Sequence, residues 1–150
     1  MASQMQMSLL PDEGKLADLS ARLGISIFQR FETSSELGGD IWHVRELEGG
    51  RLGLILADFS GHGVSAAINS FRLHTLFDQY QPSDDPARLM ADLNRALKPL
   101  LPIGQFATVL YGILDPKAQR FDYAAGGAPS PILFLPGQAP RLLDASGLFL

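Results

Sequence analysis

The chain has 150 residues, enough for one domain, and 46% of them are apolar, which is typical of a globular protein with a hydrophobic core. The formal net charge of −4 comes from acidic and basic residues scattered along the chain. Without a Lys- or Arg-rich run, a nucleic-acid partner is not expected. The absence of cysteine excludes a disulfide framework and a thiolate metal site.

The N-terminal segment, residues 1–24, is predicted to be a linker or helical lead-in. Met1 to Leu10 suit the end of a helix that Pro11 terminates, and residues 12–24 form either a loop or a short helix. The segment lacks the basic start and apolar centre of a signal peptide. Every apolar stretch of the chain is far shorter than the roughly 20 residues of a membrane span. We therefore expect a cytoplasmic protein with no span in this segment.

A β-leaning segment and then a pair of β-strands come next. The β-leaning segment, Ile25 to Phe31, ends in the polar cluster Glu32 to Ser35. The following runs, Ile41 to Arg45 and Leu52 to Ala57, flank a turn at Glu48-Gly49-Gly50. Two β runs separated by a glycine-rich turn predict an antiparallel hairpin.

Two helices and further strands complete the pattern. Apolar residues recur at helical spacing between Val64 and Tyr80, and a second helix is predicted from an N-cap at Asp85, with Pro86 at its first position, to a point before Pro102. We expect the aromatic residues of this half to be core: Phe71, Phe77, Phe106 and Phe121. Four later strands are predicted at 106–114, 120–125, 131–135 and 141–143. The order of elements indicates an α+β fold with helices covering one face of an antiparallel sheet.

Two aspartates occupy the paired ends of the predicted hairpin. Asp40 follows Gly38-Gly39 at the start of one strand, and Asp58 ends its partner strand. Antiparallel pairing brings these ends together, and two adjacent carboxylates repel each other unless they share a cation. Hard divalent ions such as Mn²⁺ or Mg²⁺ suit such oxygen ligands. Each aspartate alone would be an ordinary turn residue, so a metal site and a turn role both stay open on these grounds.

The turn Gly61-His62-Gly63 precedes the first predicted helix. Its glycines permit a backbone with φ > 0 and close approach of a ligand, and the free N–H groups of a helix N-terminus favour an anion such as phosphate. His62 is either a proton donor or an exposed turn residue. His43 and His74 are weaker candidates, since His43 lies within a strand and His74 on a helix at the edge of the core.

Four motifs, in order, resemble one family. Residues 37–42 (LGGDIW) resemble the "GGD-x-aromatic" motif of the PPM phosphatases, in the branch of bacterial SpoIIE and RsbU. Residues 57–67 (ADFSGHGVSAA) look like the "DVSGHGxxAA" signature of that branch. Residues 106–108 (FAT) and 124–131 (AAGGAPSP) are similar to its next strand and its "AGHPPP" turn. The match runs from about Ile25 to the end of the chain.

The resemblance implies an αββα sandwich, in which two antiparallel sheets are flanked by helices, and two Mn²⁺ or Mg²⁺ ions at one end of it. Asp40 and Asp58 would be side-chain ligands and catalytic residues, and the backbone carbonyl of Phe59 a further ligand. A water activated by the ions would attack the phosphorus of phosphoserine or phosphothreonine in line. The usual substrate of this branch is a phosphorylated anti-sigma-factor antagonist of the STAS type, under control of an upstream receiver or sensor domain.

The chain departs from the family pattern in three ways. The family usually has Asp at the position of His43 and commonly His at the position of Gly127. Further metal-binding aspartates, one of them in a "TDG" motif, follow the family sequence beyond the point that corresponds to Leu150. We therefore expect residues 25–150 to be the N-terminal part of a phosphatase domain whose last strands are missing, inactive in this 150-residue form. A pseudophosphatase that only binds a partner is the alternative, and a plain α+β domain is a third.

Overall fold

The structure is a computed structural model that describes residues 6–32 and 37–150. Its helices are α1 (Glu13–Leu23), α2 (Val64–Gln79) and α3 (Pro86–Leu97). Its strands are β1 (Asp40–Leu47), β2 (Arg51–Phe59), β3 (Ala107–Asp115), β4 (Arg120–Gly126), β5 (Ile132–Leu133) and β6 (Arg141–Leu142). Residues 6 and 7 are also helical, while the first five residues of the predicted lead-in lie outside the described part.

An antiparallel sheet of four strands, in the order β1-β2-β3-β4, forms the centre of the fold, and β5 pairs with β6 separately. The predicted hairpin is confirmed, because β1 and β2 pair antiparallel across the turn at residues 48–50. The α+β class is confirmed as well. Within the described part, no helix is long and apolar enough to cross a bilayer.

The two faces of the sheet are covered by different helices. On one face, apolar side chains of the strands pack against α2 and α3 in the main core, which includes Ile55, Tyr111, Phe77 and Leu93. On the other face, α1 packs Leu16 and Leu19 against strand residues in a smaller cluster. Alternate residues of a strand point to opposite faces, so β1 and β2 each contribute to both clusters.

Local capping explains where the helices begin and end. The Asp85 carboxylate accepts hydrogen bonds from the backbone N–H groups of Ala87 and Arg88, with Pro86 at the first helical position, as predicted. Asp12 caps α1 in the same way through Lys15, and Gly24 ends that helix in the left-handed conformation at φ 67°. Residues 13–23 are therefore a helix, which decides between the two predicted alternatives.

Two expectations from the sequence were wrong. Residues 25–31 form no strand; Ile25 and Ile27 pack against the α1 cluster instead, while Phe28 is 92% exposed. Residues 33–35 of the polar cluster that follows lie outside the described residues. Phe71 and Phe106 are exposed rather than core, since they lie on the outer sides of α2 and of the loop before β3. Phe77 is fully buried, as expected, and Phe121 is half-buried.

Candidate metal site

Asp40 and Asp58 lie directly opposite each other in the sheet. The register of β1 and β2 begins with the pair Leu47 and Arg51 at the turn, and Asp40 and Asp58 are the last pair at the other end of the strands. Directly opposed residues of an antiparallel pair extend to the same face. Because Ile41 belongs to the main core, the neighbouring Asp40 faces the other side of the sheet, away from α2 and α3.

The close approach of β2 to Gly39 brings more oxygen atoms to this point. An added Cβ on Gly39 would clash with the carbonyl oxygen of Phe59 and lie 3.1 Å from a carboxylate oxygen of Asp58. Gly39 also accepts a hydrogen bond from the backbone N–H of Phe59 at 3.2 Å. The Asp58 carboxylate and the Phe59 carbonyl therefore both lie against the residue that precedes Asp40.

The electrostatics of the pair suit a bound cation. Partial burial, and second the nearby charge of Asp58, raise the pKa of Asp40 above its ordinary value. Among the described residues, neither carboxylate forms an ion pair with a Lys, Arg or His side chain. A divalent cation would offset the repulsion between the two carboxylates and give them a partner of opposite charge. Two carboxylates and a carbonyl are the hard oxygen donors that Mn²⁺ and Mg²⁺ prefer. The residues present therefore fit such an ion.

The turn of residues 61–63 lies next to this point. Gly61 and Gly63 have φ of 92° and 79°, the left-handed region that favours glycine, as the sequence indicated. Gly63 is the N-cap of α2 and offers no side-chain cap, so the first N–H groups of the helix are open to an anion. The Gly63 N–H donates to the carbonyl of Leu37 at 3.3 Å and joins the turn to the loop before β1. His62 is exposed in this turn, and its predicted proton-donor role stays a prediction.

A shallow groove extends from the carboxylates across the same face of the sheet. Its volume is about 950 Å³, and Asp40, Asp58 and Thr108 line it together with apolar residues of β1, β2 and the segment 25–32. Thr108 lies opposite Asp58 on β3. The sequence placed Thr108 in a motif that resembles the family, but it did not predict that Thr108 lies beside the two carboxylates.

Ser70 supports the site from α2, and sequence reasoning missed it. It is fully buried, and its hydroxyl lies 2.8 Å from the Gly39 carbonyl oxygen, to which it donates, and 3.2 Å from that of Ala66. A small polar residue on the buried side of an amphipathic helix is the signal that could have identified it. The bond fixes the glycine that precedes Asp40 to the first turns of α2.

Replacing Ser70 by alanine should lower the free energy of unfolding by about 1–2 kcal/mol, because the buried Gly39 carbonyl loses one of its two donors. Urea unfolding measures this change. Thr75→Ala is the matched control, since the Thr75 hydroxyl donates only to the Phe71 carbonyl of the same helix, at 3.0 Å, in a more exposed position. An equal decrease in the free energy of unfolding of the two variants would show that the Ser70–Gly39 hydrogen bond stabilises the protein no more than the bond of Thr75 within its own helix.

Comparisons with known proteins agree with this fold. A family model described as Stage II sporulation protein E (SpoIIE) matches residues 48–150. Phosphoserine phosphatase RsbP of Bacillus subtilis (strain 168) is 33% identical over 110 residues, which are 70% of this chain and 27% of RsbP. The chain thus spans about a quarter of the length of that relative.

Two solved structures are similar to the chain. The SiaA-PP2C domain of Pseudomonas aeruginosa superposes with a TM-score of 0.81 at 22% identity, over 99% of this chain and 59% of that one. The RsbU and RsbW domains of Rv1364c from Mycobacterium tuberculosis give a TM-score of 0.65 at 30% identity, over 78% of this chain and 33% of that one. Together with the family model and the RsbP relative, they show that the chain belongs to the SpoIIE family of PPM-type (PP2C-like) phosphatases, in the SpoIIE/RsbU branch.

Proposed function

We propose that this chain is the N-terminal part of a metal-dependent protein serine/threonine phosphatase domain. Asp40, Asp58 and the backbone carbonyl of Phe59 are its ligands for Mn²⁺ or Mg²⁺, with two ions in the complete domain. The observation that supports this most is the convergence of the two carboxylates and the carbonyl around Gly39. Partial burial and the nearby charge of Asp58 raise the pKa of Asp40, and a perturbed carboxylate of this kind is common at functional sites.

Bound divalent ions supply a water nucleophile and neutralise charge on the phosphoryl group. The chain's own residues hold and orient the reactants. Asp40 and Asp58 would hold the cations at the end of the groove. Gly61 and Gly63 carry no side chain, so a phosphoryl oxygen can approach the N–H groups at the start of α2. His62, exposed in that turn, would act as a proton donor.

The proposed substrate is phosphoserine or phosphothreonine on a bacterial regulatory protein, an anti-sigma-factor antagonist of the STAS type. The relative RsbP is named a phosphoserine phosphatase, which supports the reaction class. We propose that residues 1–24 lead in from a receiver or sensor domain, that residues 25–150 belong to the phosphatase domain, and that the protein acts in the cytoplasm. The packing of Leu16 and Leu19 of α1 on the sheet supplies a contact through which an upstream domain would act.

The metal site is tested with Mn²⁺ and the substitution Asp58→Asn. At 100 times its Kd, Mn²⁺ should stabilise the protein by about 2.7 kcal/mol. For a domain of this size the melting temperature would rise by roughly 5–10 °C. Asp58→Asn should abolish this rise. Without metal it should not lower the melting temperature, because it removes the charge that disfavours ionisation of Asp40.

Asp122→Asn is the matched control, since Asp122 is a strand carboxylate of β4 whose ion-pair partner within residues 6–32 and 37–150 is the exposed Arg120. It should keep the full response to Mn²⁺. Both the 150-residue chain and a form extended beyond Leu150 are measured, and phosphatase activity is assayed in the extended form. Metal binding without turnover there would favour the pseudophosphatase. A response to Mn²⁺ that Asp58→Asn leaves intact would refute the ligand assignment.

A further inference from the structure

A second cluster of metal-ligand side chains lies on the opposite face of the sheet from Asp40 and Asp58. His43 of β1 faces α2, on which His74 and Asp78 follow each other one turn apart. The His43 Nε2 atom is 3.5 Å from Asp78 Oδ1, and the His74 Nδ1 atom is 3.6 Å from Asp78 Oδ2. One donor atom from each residue can be chosen so that all three lie within 4.8 Å of one another.

These distances are close to those of a tetrahedral metal site. Zinc–nitrogen bonds of about 2.0–2.1 Å place neighbouring donor atoms roughly 3.3–3.4 Å apart. Each histidine lies within a few tenths of an ångström of that separation from one Asp78 oxygen, His43 from Oδ1 and His74 from Oδ2. The two imidazole rings lie edge to face with their centroids 4.4 Å apart, so both are adjacent to the same carboxylate.

The donor types select the metal. Two imidazoles and one carboxylate suit Zn²⁺ and other borderline ions, whereas Mn²⁺ and Mg²⁺ prefer sites made of oxygen atoms alone. Three protein ligands with an open fourth position are a common zinc arrangement. We propose that His43, His74 and Asp78 form a Zn²⁺ site that is independent of the carboxylate site and ties β1 to α2.

The protonation of His43 favours this role. Burial, followed by the charges of Lys15 and His74, lowers the pKa of His43 to about 4, although Asp78 opposes the shift. At neutral pH the His43 imidazole is therefore neutral, which is the form that binds a metal. Its side chain is only 9% exposed, while that of Asp78 is 50% exposed, so an ion can enter from the Asp78 side.

Lys15 is the competitor of the metal. Its Nζ atom lies 3.2 Å from His43 Nε2, the nitrogen that would bind the ion. Lys15 is half-buried in the first turn of α1, and its flexible stem allows the ammonium group to move into solvent. Removal of this amine should therefore strengthen Zn²⁺ binding, a result that a purely structural hydrogen-bond network would not produce.

The test is isothermal titration of the tag-free chain with Zn²⁺ at pH 7.5 in excess Mg²⁺, which competes for the carboxylate site of Asp40 and Asp58 but poorly for imidazole ligands, with circular dichroism to confirm the fold of each variant. We expect one equivalent to bind, Asp78→Asn and His74→Gln each to weaken binding at least tenfold, and Lys15→Met to strengthen it. Asp58→Asn should bind Zn²⁺ like the wild type, which separates this site from the proposed phosphatase centre. Unchanged affinity in folded Asp78→Asn and His74→Gln, or loss of binding in Asp58→Asn, would overturn the proposal.

Discussion

Gly39→Ala is expected to lower the free energy of unfolding by about 3 kcal/mol and to abolish stabilisation by Mn²⁺. A Cβ at this position would clash with the Phe59 carbonyl oxygen and lie 3.0 Å from the Phe59 nitrogen. Both atoms belong to the backbone of a central strand, which cannot move without disturbing its ladder with β3. The substitution would push the Asp58 carboxylate and the Phe59 carbonyl away from Asp40, so the oxygens would no longer converge. Urea unfolding and the melting temperature with Mn²⁺ measure the two effects.

Gly53→Ala is the matched control for this substitution. Gly53 also lies within the central strand β2, but the atoms nearest to an added Cβ belong to side chains, the Tyr111 hydroxyl at 3.2 Å and a methyl group of Leu47 at 3.3 Å. Side chains adjust more easily than a paired backbone, so the loss should be smaller and the response to Mn²⁺ should persist. Similar losses in both variants, with Mn²⁺ binding retained in Gly39→Ala, would contradict the role assigned to Gly39.

The opposition of Asp40 and Asp58 could be predicted because a short turn fixes the register of a hairpin. Gly49 and Gly50 both have positive φ, at 79° and 76°, and close the turn between Leu47 and Arg51. From that pair, equal steps along both strands lead to Asp40 and Asp58. The geometry of the site thus follows from local sequence, since no contact distant in the chain is needed to align these two residues.

The cluster of His43, His74 and Asp78 could not be predicted in the same way. Its members come from two elements, and their meeting depends on how α2 crosses β1, which is a matter of packing in the main core. The sequence placed His43 on a strand and His74 on a helix without a signal that they meet. Ser70 was missed for the same reason, because its partner Gly39 is 31 residues away in the chain.

Helical periodicity also could not separate the buried from the exposed aromatic residues of α2. Phe71 and Phe77 both belong to the apolar pattern of this helix, yet Phe71 is 43% exposed and Phe77 is fully buried. The apolar stripe of α2 is wider than the surface that the sheet and α3 cover. Which part of it becomes core is therefore decided by the neighbouring elements, and substitution of the two phenylalanines measures the difference.

Phe77→Ala is expected to lower the free energy of unfolding by about 4 kcal/mol, and Phe71→Ala by less than about 1 kcal/mol. The Phe77 ring packs edge-on against Tyr111, with centroids 5.7 Å apart, and against His43 at 6.0 Å. The Arg45 guanidinium lies 4.2 Å above the ring centroid and also donates hydrogen bonds to the carbonyls of Phe77 and Tyr80 at the end of α2. Truncation to alanine leaves a cavity between β1, β3 and α2. It also removes the aromatic face that stabilises the half-buried guanidinium of Arg45.

Urea unfolding of both variants, in Zn²⁺-free buffer, measures these losses. Because the Phe77 ring also packs against His43, its removal should loosen that imidazole, so any remaining folded Phe77→Ala should bind Zn²⁺ more weakly than Phe71→Ala. Equal destabilisation by the two substitutions would mean that α2 does not present Phe77 to the sheet. The placement of His74 and Asp78 beside His43 would then lose its basis, since it depends on the same orientation of the helix.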